Sequence, residues 1–293
     1  MGEAAALGAA FLWAVSGTLI KPVTRSLTGL PLNALRCLFA VPFLWLLMGA
    51  LGLTGELAAL PAGVIVGLLS SALVAIVFGD TLYFIALRRL DASQAFPIST
   101  SVLPVFTFVL AAVFLGETGS IKTYLGVILV IGGIYLVSSP RERGLLPRGL
   151  AGLDRRGLLL VLVAGVFWAT SLIILRSALQ DVNVIVANAL RISFVALLLT
   201  ALALPQLRRV DPRRLGPRPL LLAAATGILD FGVSGALFLT AIKLAGAAKT
   251  AVLTSLSPLF LVAFALVFLK EPVTRRLGLG VALSVAGVAL LVR

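Results

Sequence analysis

Apolar runs of about twenty residues follow one another along the chain with only short connections between them, and this spacing narrows the possible folds more than any other feature. They lie near 4 to 24, 30 to 53, 62 to 87, 92 to 115 and 121 to 139. A connector rich in Arg, Gly and Pro runs from about Pro140 to Arg156, and further runs lie near 157 to 176, 183 to 204, 219 to 242, 248 to 269 and 276 to 292. Each is long enough for a helix to cross the hydrocarbon core of a bilayer, and together they occupy about three quarters of the 293 residues. Only 12% of the residues are charged and mean hydropathy is +1.15, a balance that no water-facing globular surface sustains. The expected fold class is therefore an all-α integral membrane protein of ten transmembrane helices, multi-pass in the plasma membrane. The opening run, Ala4 to Ile20, has no basic residues ahead of it and no small-residue cleavage site leading to a polar start. It reads as the first span and not as a removable signal.

A net charge of +13 would suggest nucleic acid in a soluble chain. Here the arginines punctuate the apolar runs and form no single patch, so they are topology determinants and no nucleic-acid partner is expected. Most Lys and Arg residues fall in the odd-numbered loops. The positive-inside rule places those loops in the cytoplasm and both termini outside. Cys37 is the only cysteine and there is no histidine. Disulfides, His-rich metal sites, imidazole proton relays and Ser-His nucleophiles are thereby excluded. No catalytic residue, metal or cofactor is expected, and any titrating chemistry falls to carboxylates, tyrosines or lysines.

The two halves of the chain repeat each other. At a shift of 155, Trp13 meets Trp168, Ser16 meets Ser171, Phe39 meets Phe194, and Asn33-Ala34-Leu35-Arg36 meets Asn188-Ala189-Leu190-Arg191. At a shift of 154, Thr100-Ser101-Val102-Leu103-Pro104 meets Thr254-Ser255-Leu256-Ser257-Pro258, and Phe114-Leu115-Gly116-Glu117 meets Phe268-Leu269-Lys270-Glu271. The expected organisation is a five-helix repeat over 1 to 139, a connector over 140 to 156, and a second five-helix repeat over 157 to 293. Five is odd, so the second repeat enters the membrane from the opposite side, and an inverted repeat places a solute path where its halves meet.

These residues resemble the drug/metabolite transporter superfamily, in its ten-helix form with two EamA domains, over nearly the whole chain. The markers are Pro followed by Leu-Gly-Glu in Pro104 to Glu117, its counterpart in Pro258 to Glu271, and the Trp-Ala-x-Ser-like start of each half. The resemblance implies a small-molecule exporter or exchanger, of amino acids, nucleotides, sugars or drugs, with a central cavity lined by the first, third and fourth helices of each half. It also implies that both termini are cytoplasmic, against the charge count. A channel or lipid scramblase without alternating access is the competing reading.

Several residues are candidates for lining that cavity. Proline removes one helical hydrogen bond, so Pro104 and Pro258 free the carbonyls of Thr100 and Thr254. A free carbonyl at membrane depth is tolerated only where side chains, protein or cavity water satisfy it. Thr100, Ser101, Thr254 and Ser255 are therefore candidate cavity groups, with Pro104 and Pro258 as hinges; the alternative is a kink sealed by its own hydroxyl. Asp80 and Asp230 lie within spans, where a central aspartate costs about 2.5 to 3.5 kcal/mol. Each either binds a substrate ammonium or couples a proton to transport, or else pairs internally with Arg36, Arg191 or a backbone group. Trp13 with Ser16, and Trp168 with Ser171, place an aromatic ring and a hydroxyl on one helix face. Tyr83 and Ser234, one turn or so beyond Asp80 and Asp230, share their faces. Arg36 and Arg191 are expected to snorkel to headgroups and loop carbonyls, with phosphate recognition as the alternative. Glu117 and Glu271 read as loop anchors. Gly126, Gly132, Gly133, Gly278, Gly280 and Gly287 mark a helix scaffold or a dimer seam, leaving monomer and homodimer both open.

Overall fold

The computed structural model describes residues 1–20, 23, 27, 29–86, 89–90, 92–117, 119–138, 154–208, 216–260 and 275–292. Among them every regular element is helical: α1 (Gly2–Ile20), α2 (Leu30–Ala50), α3 (Thr54–Ala58), α4 (Ala62–Ala72), α5 (Asp80–Ala86), α6 (Ala92–Leu115), α7 (Ile121–Ser138), α8 (Arg155–Ala178), α9 (Val184–Leu207), α10 (Pro217–Gly227), α11 (Gly235–Ala245), α12 (Ala247–Thr254) and α13 (Arg275–Val292). By length and hydropathy, Leu30–Ala50, Ala62–Tyr83, Arg155–Ala178, Val184–Leu207 and Pro217–Ala245 are each able to cross a bilayer. Shorter apolar stretches occupy Val102–Leu115, Ile121–Leu136 and Gly278–Leu290.

The helices begin where side chains can take up their free N–H groups. Asp154 caps α8 by accepting from the Arg156 amide at 3.2 Å, and Asn183 caps α9 by accepting from the Ile185 amide at 2.9 Å. Large apolar side chains point outward along the rods, among them Leu46 (74% exposed), Val113 (70%) and Leu197 (73%), as lipid contact requires.

A feature that the hydropathy pattern does not reveal interrupts the third and eighth expected spans. Leu73–Gly79 joins α4 to α5 as a π-helical segment, and Ile228–Ser234 joins α10 to α11 in the same way. The two segments are related by the repeat shift of 155, residue for residue. In the first, the Asp80 amide donates to the carbonyl of Ala75, five residues back. Such a segment puts an extra residue into the turn, so the side chains beyond it swing around the rod. The swing sets the direction of Asp80.

Packing follows the duplication. α2 lies against α9 and α7 against α13, each the counterpart of the other. α1 packs on α11 and α12, and α8 packs on the α4–α5 rod and α6 in the matching way. Every one of these contacts joins one half to the other, so the cores between them are shared. One gathers Leu44, Met48, Val195 and Leu199; another gathers Leu68, Leu175, Leu179, Leu239 and Ile242.

Four of the glycines of α7 and α13, Gly126, Gly133, Gly280 and Gly287, are used within the chain, whereas Gly132 and Gly278 face open space. A Cβ at Gly287 would lie 2.7 Å from the Gly126 carbonyl oxygen and the Val130 side chain, and one at Gly133 would collide with Ser284. The seam between α7 and α13 is thus a close scaffold contact, the first of the two roles the sequence left open.

Candidate substrate site

Where the halves meet, a polar cluster is assembled from four rods. Asp80 opens α5, and its Oδ1 accepts from the indole Nε1 of Trp168 on α8 at 2.9 Å. This approach depends on Gly79, because a Cβ there would lie 2.7 Å from the Trp168 ring. Tyr83, one turn on, stacks against Trp168 with ring centroids 5.4 Å apart. The α2 side chains Asn33 and Arg36 stand beside the same carboxylate. Arg36 donates to the Asn33 Oδ1 at 3.4 Å and reaches across to form an ion pair with Asp230 in the second π-helical segment. Its guanidinium also lies 5.1 Å from the centre of the Phe231 ring.

Two aspartates therefore share one arginine. Asp230 takes its internal partner, Arg36, which points inward instead of snorkelling to the headgroups. Asp80 is held by neutral donors and has no cation within 4 Å among the described residues. Asp80, Tyr83, Trp168 and Asp230 all stay partly exposed, so the cluster borders accessible space.

The opposite side of the pseudo-twofold carries the aromatic half of this arrangement without its charge. Trp13 packs on Phe238, with centroids 5.2 Å apart, as Trp168 does on Tyr83. Gly235 stands where the repeat shift puts Asp80, and Asn188 fills that place, donating to the Phe231 carbonyl at 2.7 Å.

Other candidates are turned into the bundle. Ser171 donates to the Ser71 carbonyl at 2.7 Å and Ser234 to the Ala9 carbonyl at 3.1 Å, each tying one half to the other. Ser16 is fully buried and its hydroxyl has no partner among the described residues. Thr254 and Ser255 donate back to the carbonyls of Thr250 and Ala251. The carbonyl freed by Pro258 is taken by the hydroxyl of Ser257 at 2.7 Å, so this kink is sealed from within. The two proline sites differ in shape. α6 runs through Pro104 unbroken, whereas α12 stops at Thr254 and gives way to a turn at Ser255 and Leu256. The side chains of Thr100 and Ser101 lie outside the described residues, as does Glu271.

Glu117 does more than anchor a loop. Its two carboxylate oxygens accept from the amides of Ala247 and Ala248 at 3.2 Å each, capping α12 of the other half, and Arg176 Nε lies 3.6 Å away. Gly246 before the cap has φ +86°, and a Cβ there would meet the Glu117 carboxylate at 2.9 Å, so glycine is required twice over. Glu117→Ala is expected to lower stability by about 0.5–2 kcal/mol, the range for a lost N-terminal cap. The thermal midpoint of the purified protein in detergent checks this, and an unchanged midpoint would remove Glu117 from the inter-half contact.

Asn33 and Phe231 belong to the cluster although sequence reasoning did not select them. Asn33 had a signal: it lies three residues before Arg36 in the recurring Asn-Ala-Leu-Arg, the spacing at which helical side chains touch. Phe231 had none.

Comparison with known proteins supports a transport role for this architecture. The EamA-like transporter family is matched twice, over residues 1–139 and 155–293. An uncharacterized transporter of Archaeoglobus fulgidus is 28% identical over 286 residues, covering 97% of this chain and 95% of its own. A solved structure, described only as the crystal structure of a protein, superposes with a TM-score of 0.79 at 18% identity. It covers 99% of this chain and 95% of that one, which speaks to the fold alone.

Proposed function

The chain belongs to the EamA-like transporter family, and from that premise we propose that this membrane transporter is a secondary carrier for a small organic solute bearing an amine, such as an amino acid or a related metabolite or drug. The observation that carries the reading is the Asp80 carboxylate, held by Trp168 where the halves meet and lacking a cationic partner among the described residues. One arginine between two aspartates leaves the cluster with an unmatched negative charge at membrane depth, which is costly, and an ammonium group of the solute supplies the missing charge. The faces of Trp168 and Tyr83 add cation–π attraction and apolar area, while Trp13 and Phe238 form the facing wall.

Alternating access then consists of rocking one half against the other about hinges at Pro104, within the continuous α6, and at Pro258, just past the end of α12, in the direction of export or exchange. A proton arriving at Asp80 competes with the solute ammonium for the same oxygens, which provides a route to proton coupling. The test is uptake and efflux in vesicles reconstituted with the purified protein. The panel comprises amino acids, nucleotides and cationic drugs, with an imposed pH difference. Protein-dependent flux of at least one amine-bearing solute is expected. Flux confined to solutes without an amine, or absent across the panel, would contradict the proposal.

A further inference from the structure

We propose that Arg191 is a receptor for an anionic group of the solute, a carboxylate or a phosphate, at a place in the halves' interface that the duplication has left without a counter-charge. Arg36 and Arg191 are equivalent at the shift of 155. Arg36 is neutralised by Asp230. The residue equivalent to Asp230 is Ala75, in the first π-helical segment, and it carries no charge.

Arg191 is 6% exposed. Its Nε donates to the Ser71 hydroxyl at 3.1 Å, and that hydroxyl donates onward to the Leu68 carbonyl at 2.7 Å. Among the described residues neither terminal nitrogen has a hydrogen-bond acceptor and no carboxylate lies within 4 Å. Those nitrogens carry four of the five N–H donors of the guanidinium, arranged in the fork that matches two oxygens of a carboxylate or phosphate. A charge buried this deeply in a membrane protein faces a counter-charge or a water-filled path, and here the described residues supply no counter-charge.

The location is tied to the site already described. Ser71, which receives Arg191, also offers its carbonyl to Ser171, one turn beyond Trp168 on α8. Arg191, on α9, therefore meets at Ser71 the same rod that carries Asp80 nine residues further on. The inference rests on the transporter reading for its ligand, but binding tests it separately from flux.

The experiment is a thermal-shift titration of the full-length protein in detergent, with probes paired so that only the anion differs. Phenylalanine is set against phenylalaninamide, leucine against leucinamide, and inorganic phosphate and glycerol phosphate against glycerol. The wild type is expected to be stabilised at concentrations at least about tenfold lower by the anionic member of one pair, tenfold being the factor that 1.4 kcal/mol of differential binding produces. Discrimination among the amino acids alone identifies a carboxylate, and among the phosphates alone a phosphate. Arg191→Gln is expected to erase the discrimination. Ala75→Asp, which keeps Arg191 and supplies the carboxylate that Asp230 supplies to Arg36, is expected to erase it too. Equal stabilisation by both members of every pair, or discrimination surviving in Ala75→Asp, would overturn the inference. Vesicle flux as fast for the amides as for the amino acids would do so as well, while leaving the carrier proposal standing.

Discussion

Asp230→Leu and Arg36→Met are each expected to lower the stability of the protein by about 3–5 kcal/mol, whereas the two together should recover most of the loss. The Arg36 and Asp230 side chains are 13% and 16% exposed, so most of the pair is withdrawn from its surroundings. Removing one partner leaves the other charge buried without compensation. The remaining contacts are thin: among the described residues Arg36 has, beyond Asp230, a 3.4 Å bond to Asn33 and the Phe231 face, and its Nε has no partner there. Replacing both groups by apolar side chains of similar size removes the desolvation cost together with the attraction, which explains the recovery. Thermal midpoints of the two single variants and the double variant form a cycle. A coupling energy below about 0.5 kcal/mol would mean that the pair does not hold α2 to the eighth rod.

The second large effect concerns function with the fold preserved. Asp80→Asn keeps an oxygen for the Trp168 indole and nearly the same volume, so the seam between α8 and α5 should persist. What it loses is the charge that meets a solute ammonium. A charge-assisted bond of about 1.5–3 kcal/mol corresponds to roughly a ten- to hundredfold fall in flux. Any pH dependence of transport should disappear with it, since the asparagine cannot exchange a proton. Vesicle flux measured over a range of pH, against wild type at matched protein density, reads both outcomes. Unchanged flux with an unchanged pH profile would release Asp80 from the site. Asp230 is the less suitable residue for this role because its charge is already matched by Arg36.

The duplication was legible because it is written in residues that resist substitution for physical reasons: tryptophans, mid-span polar groups and prolines. Hydropathy located the helices because lipid leaves the backbone few alternatives. The internal pairing of Asp230 stood among the possibilities since a mid-span carboxylate has few ways to be tolerated, but no single-chain pattern could choose Arg36 over Arg191. That choice depends on which rods cross, and α2 lies against the π-helical segment that carries Asp230.

The π-helical segments were hidden because Leu73 to Gly79 and Ile228 to Ser234 are apolar on almost every side, so an extra residue per turn leaves no trace in the hydropathy. The partners of the hydroxyl groups were hidden for a related reason. Serine and threonine in a helix satisfy themselves on carbonyls three or four residues back, as Thr254 and Ser255 do, and Ser257 closes the gap that Pro258 opens. Composition shows that a hydroxyl is present, not where it turns. Glu117 illustrates the reverse case: a family marker at a connection proves to be the cap on the first turn of α12 in the other half.

The central claim is that this transporter carries its solute by exposing one site between its halves to each side in turn. Trans-stimulation tests it most directly. Vesicles preloaded with unlabelled solute are diluted into labelled solute, and the initial rate is compared with that of empty vesicles across a range of external concentrations. The account predicts uptake that saturates and is accelerated by internal solute, because the loaded site returns across the membrane faster than the empty one. A rate that rises linearly with concentration and ignores the internal solute would contradict it and indicate an open path.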